Sequence, residues 1–106
     1  MTTGTKNVFA DLGLPDADDL QLKAELTRQI YRRIKDFALT QTEAAKRLGI
    51  KQPDVSRLMK GTFTGFSTDR LLSLLTALEV DIEIIVRPRN RKPQDLGTVR
   101  ALTEIG

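Results

Sequence analysis

The sequence predicts a mainly α-helical protein, a bundle of four to five helices followed by one short C-terminal β-strand. Apolar residues recur at helical spacing over most of the chain, and the period changes to two at residues 80–87. A length of 106 residues suits one domain with one modest core. We therefore divide the chain into an N-terminal segment (1–15), a helical domain with its strand (16–87) and a basic tail (88–106). A short helical segment is expected in that tail, over residues 94–105.

The first helix is predicted to be long and to begin just after Pro15. Proline suits the first turn, and the aspartates that follow it suit the positive end of the helix dipole. Apolar side chains then recur at four-residue steps and form one stripe: Leu22, Leu26, Ile30 and Ile34. Basic residues occupy the other faces, either as contacts to DNA or a partner, or as an ordinary solvated surface: Arg28, Arg32, Arg33 and Lys35.

Two short helices joined by a tight turn are predicted between Thr40 and Gly61. Thr40 and Glu43 have the spacing of a capping box, which marks the start of the first of them. Gly49 lies at the turn, where a residue without Cβ is least strained. Pro53 in the first turn and Gly61 just past the end delimit the second helix. This is the arrangement of a helix-turn-helix, in which the second helix contacts base edges in the major groove.

The side chains at the turn support the same interpretation. Ala45, four residues before Gly49, would let the two helices approach closely, and Val55, six residues after it, would fill the space between them. Basic residues are concentrated in the same stretch, against only Glu43 and Asp54: Lys46, Arg47, Lys51, Arg57 and Lys60. With a formal charge of +3 over the chain, this predicts a basic face suited to DNA phosphates.

A fourth helix is expected after the cap residue Ser67, and a strand after that helix. Residues 80–87 alternate apolar and polar side chains until Pro88 stops the pattern. A lone strand needs a hydrogen-bonding partner, either residues 8–9 of its own chain or the same strand of a second subunit. We favour the second arrangement, a homodimer whose interface contains the apolar residues of one side of the strand: Ile82, Ile84 and Val86.

Composition excludes several classes of protein. There is no cysteine, so the chain has no disulfide and no thiolate metal site. There is also no histidine, which is the commonest general base in enzymes. We expect neither an enzyme nor a bound cofactor or metal. No apolar run has the length of a membrane span, and the first residues lack the pattern of a signal peptide, so a cytoplasmic protein is expected.

The segment from residue 40 to 61 resembles the Cro/repressor-type (XRE) helix-turn-helix family. The matching residues are Thr40-Gln41, Ala44-Ala45, Leu48-Gly49-Ile50, Val55-Ser56-Arg57 and Gly61. Residues 7–9, 12–14, 65–67 and 81–87 extend the similarity to the HigA-like antitoxins, a branch of the same superfamily. The resemblance covers roughly four fifths of the chain. It implies a lambda-repressor-like fold that binds double-stranded DNA.

The resemblance also implies which residues contact bases. Gln52 would pair with adenine and Arg57 with guanine, since both side chains can form bidentate contacts. Pro53 would touch a thymine methyl group. Asp54 would accept from cytosine or serve only as a cap, and Lys51 would reach a base or a phosphate; both positions depart from the usual family pattern. Phosphate contacts are expected from a further set: Gln41, Ser56, Lys60, Thr62 and Thr64.

Three functions are compatible with these features. The first is an antitoxin that represses its own operon and neutralises a small basic ribonuclease toxin of the RelE/HigB kind. The second is a stand-alone transcriptional regulator, and the third is a protein-interaction module that has lost DNA binding. A gene for a small basic protein directly beside this one would favour the first function. Retention of Gln52, Arg57 and the basic face argues against the third.

Overall fold

The computed structural model describes residues 16–88 and 98–103. All regular secondary structure in these ranges is helical: α1 (Asp16–Asp36), α2 (Gln41–Leu48), α3 (Gln52–Met59) and α4 (Thr68–Ala77). The long first helix packs chiefly against α4 and also touches α3, while α2 packs against α3 and α4. No described helix has both the length and the apolar character needed to cross a bilayer.

One hydrophobic core lies where the four helices meet. The predicted stripe of α1 is buried, and Ile30 and Ile34 have almost no exposed surface. The other helices and the segments beside them add further apolar residues, and the buried residues in the described part of the chain are Leu22, Leu26, Ile30, Ile34, Ala44, Leu48, Val55, Leu58, Phe66, Leu71, Leu74, Leu75 and Leu78. Helical periodicity therefore identified the buried faces correctly, because each helix has only one apolar side to bury.

The capping box predicted at the start of α2 is confirmed. The Glu43 backbone N–H donates to Thr40 Oγ1 at 3.1 Å, and the Thr40 backbone N–H donates to Glu43 Oε1 at 2.8 Å. At the other end, Gly49 has a left-handed φ of 70° and its N–H donates to the Ala45 carbonyl at 2.9 Å. A Cβ added at Gly49 would meet nothing within 4 Å, so the backbone angle, not close packing, favours glycine there.

The two alanines of α2 have different environments. Ala44 is completely buried, whereas Ala45 is only half-buried. Val55 of α3 is also completely buried and fills the angle between the helices as expected. Ala44 belongs to the buried core and Ala45 packs against it, so both small residues of α2 face the inside of the protein.

The prediction of a short C-terminal β-strand is wrong for the described residues. Residues 80–88 form no ladder; the Val80 N–H donates to Leu75 O at 3.2 Å, closing the end of α4. A strand is defined by hydrogen bonds to a neighbour, and an alternating pattern cannot supply one. Val80 and Ile82 pack against the core, while residues 83–88 are exposed. The partner considered within the chain, residues 8–9, lies outside the described ranges.

The tail also differs from its prediction where it is described. Residues 98–103 are not helical, so the helix expected over residues 94–105 is wrong for that part. Val99 and Ala101 are half-buried against the core, whereas Thr98, Arg100 and Leu102 are exposed. This alternation shows that the segment covers the core with every second side chain, a pattern that a helix would not give.

Two arginines, one from α1 and one from α2, form hydrogen bonds with the C-terminal end of α4. Arg33 donates from Nε and Nη2 to the Leu78 carbonyl at 3.2 and 3.1 Å. Arg47 donates to the Ala77 carbonyl at 3.2 Å and to Glu79 Oε2 at 2.7 Å. Both guanidinium carbons lie 4.6 Å from the centre of the Phe37 ring. We refer to Arg33, Phe37 and Arg47 as the arginine clamp, which places positive charge at the negative end of the α4 dipole.

Candidate nucleic-acid interface

The candidate site is the solvent-facing side of α3 together with the N-terminal end of α2. Val55 and Leu58 are buried, which fixes the orientation of α3 about its axis. Its opposite side is consequently turned towards solvent. Of the residues predicted to contact DNA, the structure leaves these fully exposed: Gln41, Lys51, Gln52, Pro53, Lys60, Thr62 and Thr64. Asp54, Ser56 and Arg57 are half-buried on the same helix.

The first turn of α3 is open to a ligand. Lys51 is the N-cap and makes no side-chain capping hydrogen bond, so its ammonium group extends into solvent. Pro53 occupies the first turn and has no N–H to satisfy. This leaves the side chains of Lys51 and Gln52 free to approach a partner at the N-terminal end of the helix.

Gln52 is connected to α2 by a hydrogen bond that the sequence did not indicate. Thr42 Oγ1 donates to Gln52 Oε1 over a long 3.4 Å contact. Thr42 occupies the second position of α2, next to Gln41, so the N-terminal ends of the two helices lie side by side. The contact orients the Gln52 amide while leaving its nitrogen available to donate. Thr42 could have been identified from the sequence, because it is a hydroxyl residue in the first turn of the first helix of the helix-turn-helix.

Arg57 makes three contacts within the protein. Its Nη1 donates to Asp54 Oδ1 at 3.2 Å, and its Nη2 donates to the Thr64 carbonyl. The guanidinium carbon also lies 5.7 Å from the centre of the Phe66 ring. Arg57 therefore links the recognition face of α3 to the loop that follows it. Sequence reasoning gave Arg57 and Asp54 separate roles, and the structure pairs them.

The loop between α3 and α4, residues 62–66, carries exposed hydroxyl groups beside the helix. Thr62 and Thr64 are exposed, and the Thr62 N–H donates to the Arg57 carbonyl at 2.9 Å. Phe66, the last residue of this loop, is 2% exposed. Besides Arg57, a second cation lies over its ring: the Arg70 guanidinium carbon is 4.7 Å from the ring centre. Arg70 lies in the first turn of α4, and the sequence analysis gave it no role at this surface.

The basic residues of the predicted basic face have two different environments: some are exposed, and Arg47 binds the end of α4. Lys46, Lys51 and Lys60 are exposed, without a salt bridge among the described residues. Arg47 does not belong with them, because it points to the end of α4 and pairs with Glu79 in the arginine clamp. In the described ranges, no group of three or more acidic, histidine or cysteine side chains could hold a metal ion.

The paired α2 and α3, the exposed first turn of α3 and the flanking lysines define a helix-turn-helix DNA-binding module. The comparisons with known proteins agree with the geometry. Residues 8–87 match the family model described as "Helix-turn-helix domain", and the chain belongs to that family. No curated protein matches the chain.

A solved structure extends the assignment from fold to regulator type. It carries the provisional name XRE Family Transcriptional Regulator and is 39% identical in sequence, with a TM-score of 0.71. The match covers 87% of this chain and 100% of that one. The chain is therefore an XRE-type helix-turn-helix protein and a DNA-binding transcription regulator. The HigA-like branch is not confirmed and stays a prediction.

Proposed function

We propose that this protein recognises a specific operator with α3 and represses transcription from it. The observation that carries the proposal is the exposed first turn of α3, where Gln52 accepts a hydrogen bond from Thr42 of α2. Gln52 would contact adenine, Pro53 a thymine methyl group and Lys51 a base or phosphate. Around them, phosphate contacts would come from exposed or half-exposed polar groups: Gln41, Ser56, Lys60, Thr62 and Thr64.

Arg57 is the proposed contact to guanine. Its position on α3 suits base recognition, but its guanidinium must exchange Asp54 and the Thr64 carbonyl for the base. Asp54 would then be free to accept from a cytosine amino group or remain beside Arg57. The proposal makes Gln52 and Arg57 the two residues whose removal should reduce specificity rather than general affinity.

The test uses an operator selected by the wild-type protein from random duplexes. Gln52→Ala should weaken binding to that operator by about 5- to 150-fold, which corresponds to roughly 1–3 kcal/mol, with little effect on a shuffled duplex. The matched control is Gln21→Ala on the exposed side of α1, which should change neither. Fluorescence anisotropy with labelled duplexes measures both affinities. Equal losses on the two duplexes would show that Gln52 does not contact a base.

We further propose that the protein binds DNA as a homodimer. Regulators with this motif contact two half-sites one helical turn apart, roughly 34–36 Å. Support comes from the 80–88 segment, where Ile84 and Val86 are 67% and 89% exposed although both are large and apolar. They offer an exposed apolar surface that a second subunit would cover, next to Ile82, which packs against the core.

An antitoxin role is the more specific form of this proposal. It rests on the resemblance of residues 7–9, 12–14, 40–61, 65–67 and 81–87 to HigA-like antitoxins, and it requires a small basic toxin of the RelE/HigB kind as partner. Co-expression with the gene beside this one, followed by affinity purification, tests it. Recovery of a stable complex with a neighbouring small basic protein would support the antitoxin role. A neighbouring product that does not bind, or the absence of such a gene, would leave a stand-alone regulator.

A further inference from the structure

The guanidinium of Arg57 is occupied by groups of the protein itself. Nη1 donates to the Asp54 carboxylate at 3.2 Å, and Nη2 donates to the Thr64 carbonyl. The side chain is 41% exposed and that of Asp54 29% exposed, so both lie at the surface that would face DNA. We call this arrangement of Asp54, Arg57 and the Thr64 carbonyl the docked position of Arg57.

Docking and base recognition both require the terminal N–H donors of Arg57. A bidentate contact with guanine requires two N–H groups aimed at the O6 and N7 acceptors. Both terminal nitrogens already donate to protein acceptors that lie in different directions along the helix and loop. A guanidinium cannot hold both arrangements at full strength, because its donors have a fixed planar geometry. Contact with guanine therefore competes with docking.

Asp54 lies in the first turn of α3, where a carboxylate interacts favourably with the helix dipole but would repel the phosphates of a bound duplex. It is not the N-cap, since Lys51 is the cap residue. Pairing with Arg57 is the interaction that the structure assigns to the side chain.

We propose that Asp54 limits affinity for the operator by competing with guanine for Arg57. On a non-operator duplex, phosphates alone do not replace both docking contacts, so Arg57 stays paired and adds little to affinity. At the operator, guanine supplies two acceptors in the right geometry, and Arg57 leaves the docked position. The docking contacts are therefore broken only at the operator, and Asp54 lowers affinity for the operator more than for non-operator DNA. This inference rests on the proposed function, in which Arg57 contacts a base.

The effect should be moderate and measurable. An ion pair exposed to this extent shifts an equilibrium by up to about fivefold. We therefore expect Asp54→Asn to tighten binding to the selected operator by about two- to fivefold more than binding to a shuffled duplex. The ratio of operator affinity to shuffled-duplex affinity should rise by that factor.

The experiment is a double-mutant cycle between the two side chains. Wild type, Asp54→Asn, Arg57→Gln and the double variant are each titrated with the selected operator and its shuffled counterpart. In the Arg57→Gln background, Asp54→Asn should change both affinities by one common factor, because only its charge is then removed. Asp36→Asn is the matched control for net charge. It is an exposed carboxylate at the last residue of α1, outside the segment proposed for the dimer.

Each outcome is decisive. If Asp54→Asn strengthens both duplexes equally when Arg57 is present, Asp54 acts only as a repelling charge and the inference fails while the proposed function stands. If Arg57→Gln weakens both duplexes equally, Arg57 contacts no base, and both the inference and that part of the proposed function fail. Thermal unfolding of every variant verifies folding. If Arg57→Gln is unfolded, Arg57→Lys, which keeps the charge but not the planar donors, replaces it in the cycle.

Discussion

At the scale of single residues, the turn between α2 and α3 depends on two local effects. Thr40 supplies an acceptor for an N–H at the start of α2 that no helical carbonyl can reach. Gly49 adopts a φ of 70° at the end of the same helix. Both effects are encoded by the residue type alone, and both act on the placement of α3.

Replacing the cap residue should destabilise the protein. Thr40→Ala removes the hydroxyl that accepts from the Glu43 N–H, and we expect the free energy of unfolding to fall by about 1 kcal/mol. Urea denaturation monitored by circular dichroism measures it. Thr62→Ala, at an exposed loop position, is the control and should leave the midpoint unchanged. Equal stabilities for both variants would mean that the capping box contributes nothing.

The turn glycine should be replaceable by residues that tolerate a left-handed backbone. Gly49→Ala should cost about 1–2 kcal/mol, because alanine is strained at this φ although its Cβ would have room. Gly49→Asn should cost clearly less, since asparagine visits that region more readily. The comparison of the two melting temperatures separates backbone strain from steric exclusion. If asparagine were as harmful as alanine, strain at Gly49 would not be the cause.

At the scale of helices, the arginine clamp couples elements that are distant in sequence. Arg33 and Arg47 come from α1 and α2, and both donate to carbonyls at the end of α4. Such carbonyls have no partner within their own helix. The clamp therefore satisfies the end of α4 and fixes it against the first helix of the helix-turn-helix.

Two adjacent basic residues of α2 should behave differently when removed. Arg47→Ala should lower the free energy of unfolding by roughly 1–3 kcal/mol, because charged hydrogen bonds to the end of α4 are lost. Lys46→Ala, at the neighbouring exposed position, should leave stability nearly unchanged. Parallel urea titrations measure both. A stability loss for Lys46→Ala equal to that for Arg47→Ala would show that the clamp is not the source.

The Glu25 carboxylate of the first helix should make the free energy of unfolding depend on pH in the acid range. Burial acts to raise the pKa of Glu25, but hydrogen bonds from Arg28 and Gln29, with the charges of Arg28 and Arg32, together lower that pKa below its ordinary 4.5. Because the folded-state pKa is depressed, the stabilisation is present above the unfolded value and is lost as pH falls through the folded one. Glu25→Gln should thus reduce stability at pH 7 and reduce it less at pH 3. Denaturation at the two pH values tests this difference.

At the scale of the whole molecule, an apolar surface remains outside the core. Ile84, Ile85 and Val86 follow one another and are 67%, 73% and 89% exposed. Three consecutive exposed β-branched residues are unusual on a monomer and favour an assembly that covers them. The proposed homodimer would cover the side formed by Ile82, Ile84 and Val86.

Substitutions at neighbouring positions distinguish the two sides of this segment. Ile84→Asp should weaken self-association and reduce operator affinity, because a dimer binds two half-sites at once. Ile85→Asp, at a position outside the set predicted for the interface, should have a much smaller effect on self-association. Analytical ultracentrifugation measures the association. A wild-type protein that remains monomeric at high micromolar concentration, yet binds one half-site tightly, would refute the dimer.

The sequence alone predicted the four observed helices, the start of each, both ends of α2 and α3, and most of the core. These depend on local signals: the capping box at Thr40, Pro53 in the first turn of α3, Gly49 at the turn, and apolar residues at helical spacing. Such signals act over three or four residues, so they can be recognised in the sequence without knowledge of the folded structure. The helix-turn-helix and the DNA-binding class follow from them.

The tertiary structure decided the features that depend on contacts between different elements. It placed Arg47 in the clamp instead of on the basic face, Thr42 against Gln52, and the Arg57 guanidinium against the Thr64 carbonyl. It also left residues 80–88 without the ladder that their alternation predicted. An alternating pattern fixes which side chains share a side, but a strand exists only where another segment supplies hydrogen bonds. That partner is a property of the fold, not of the segment's own sequence.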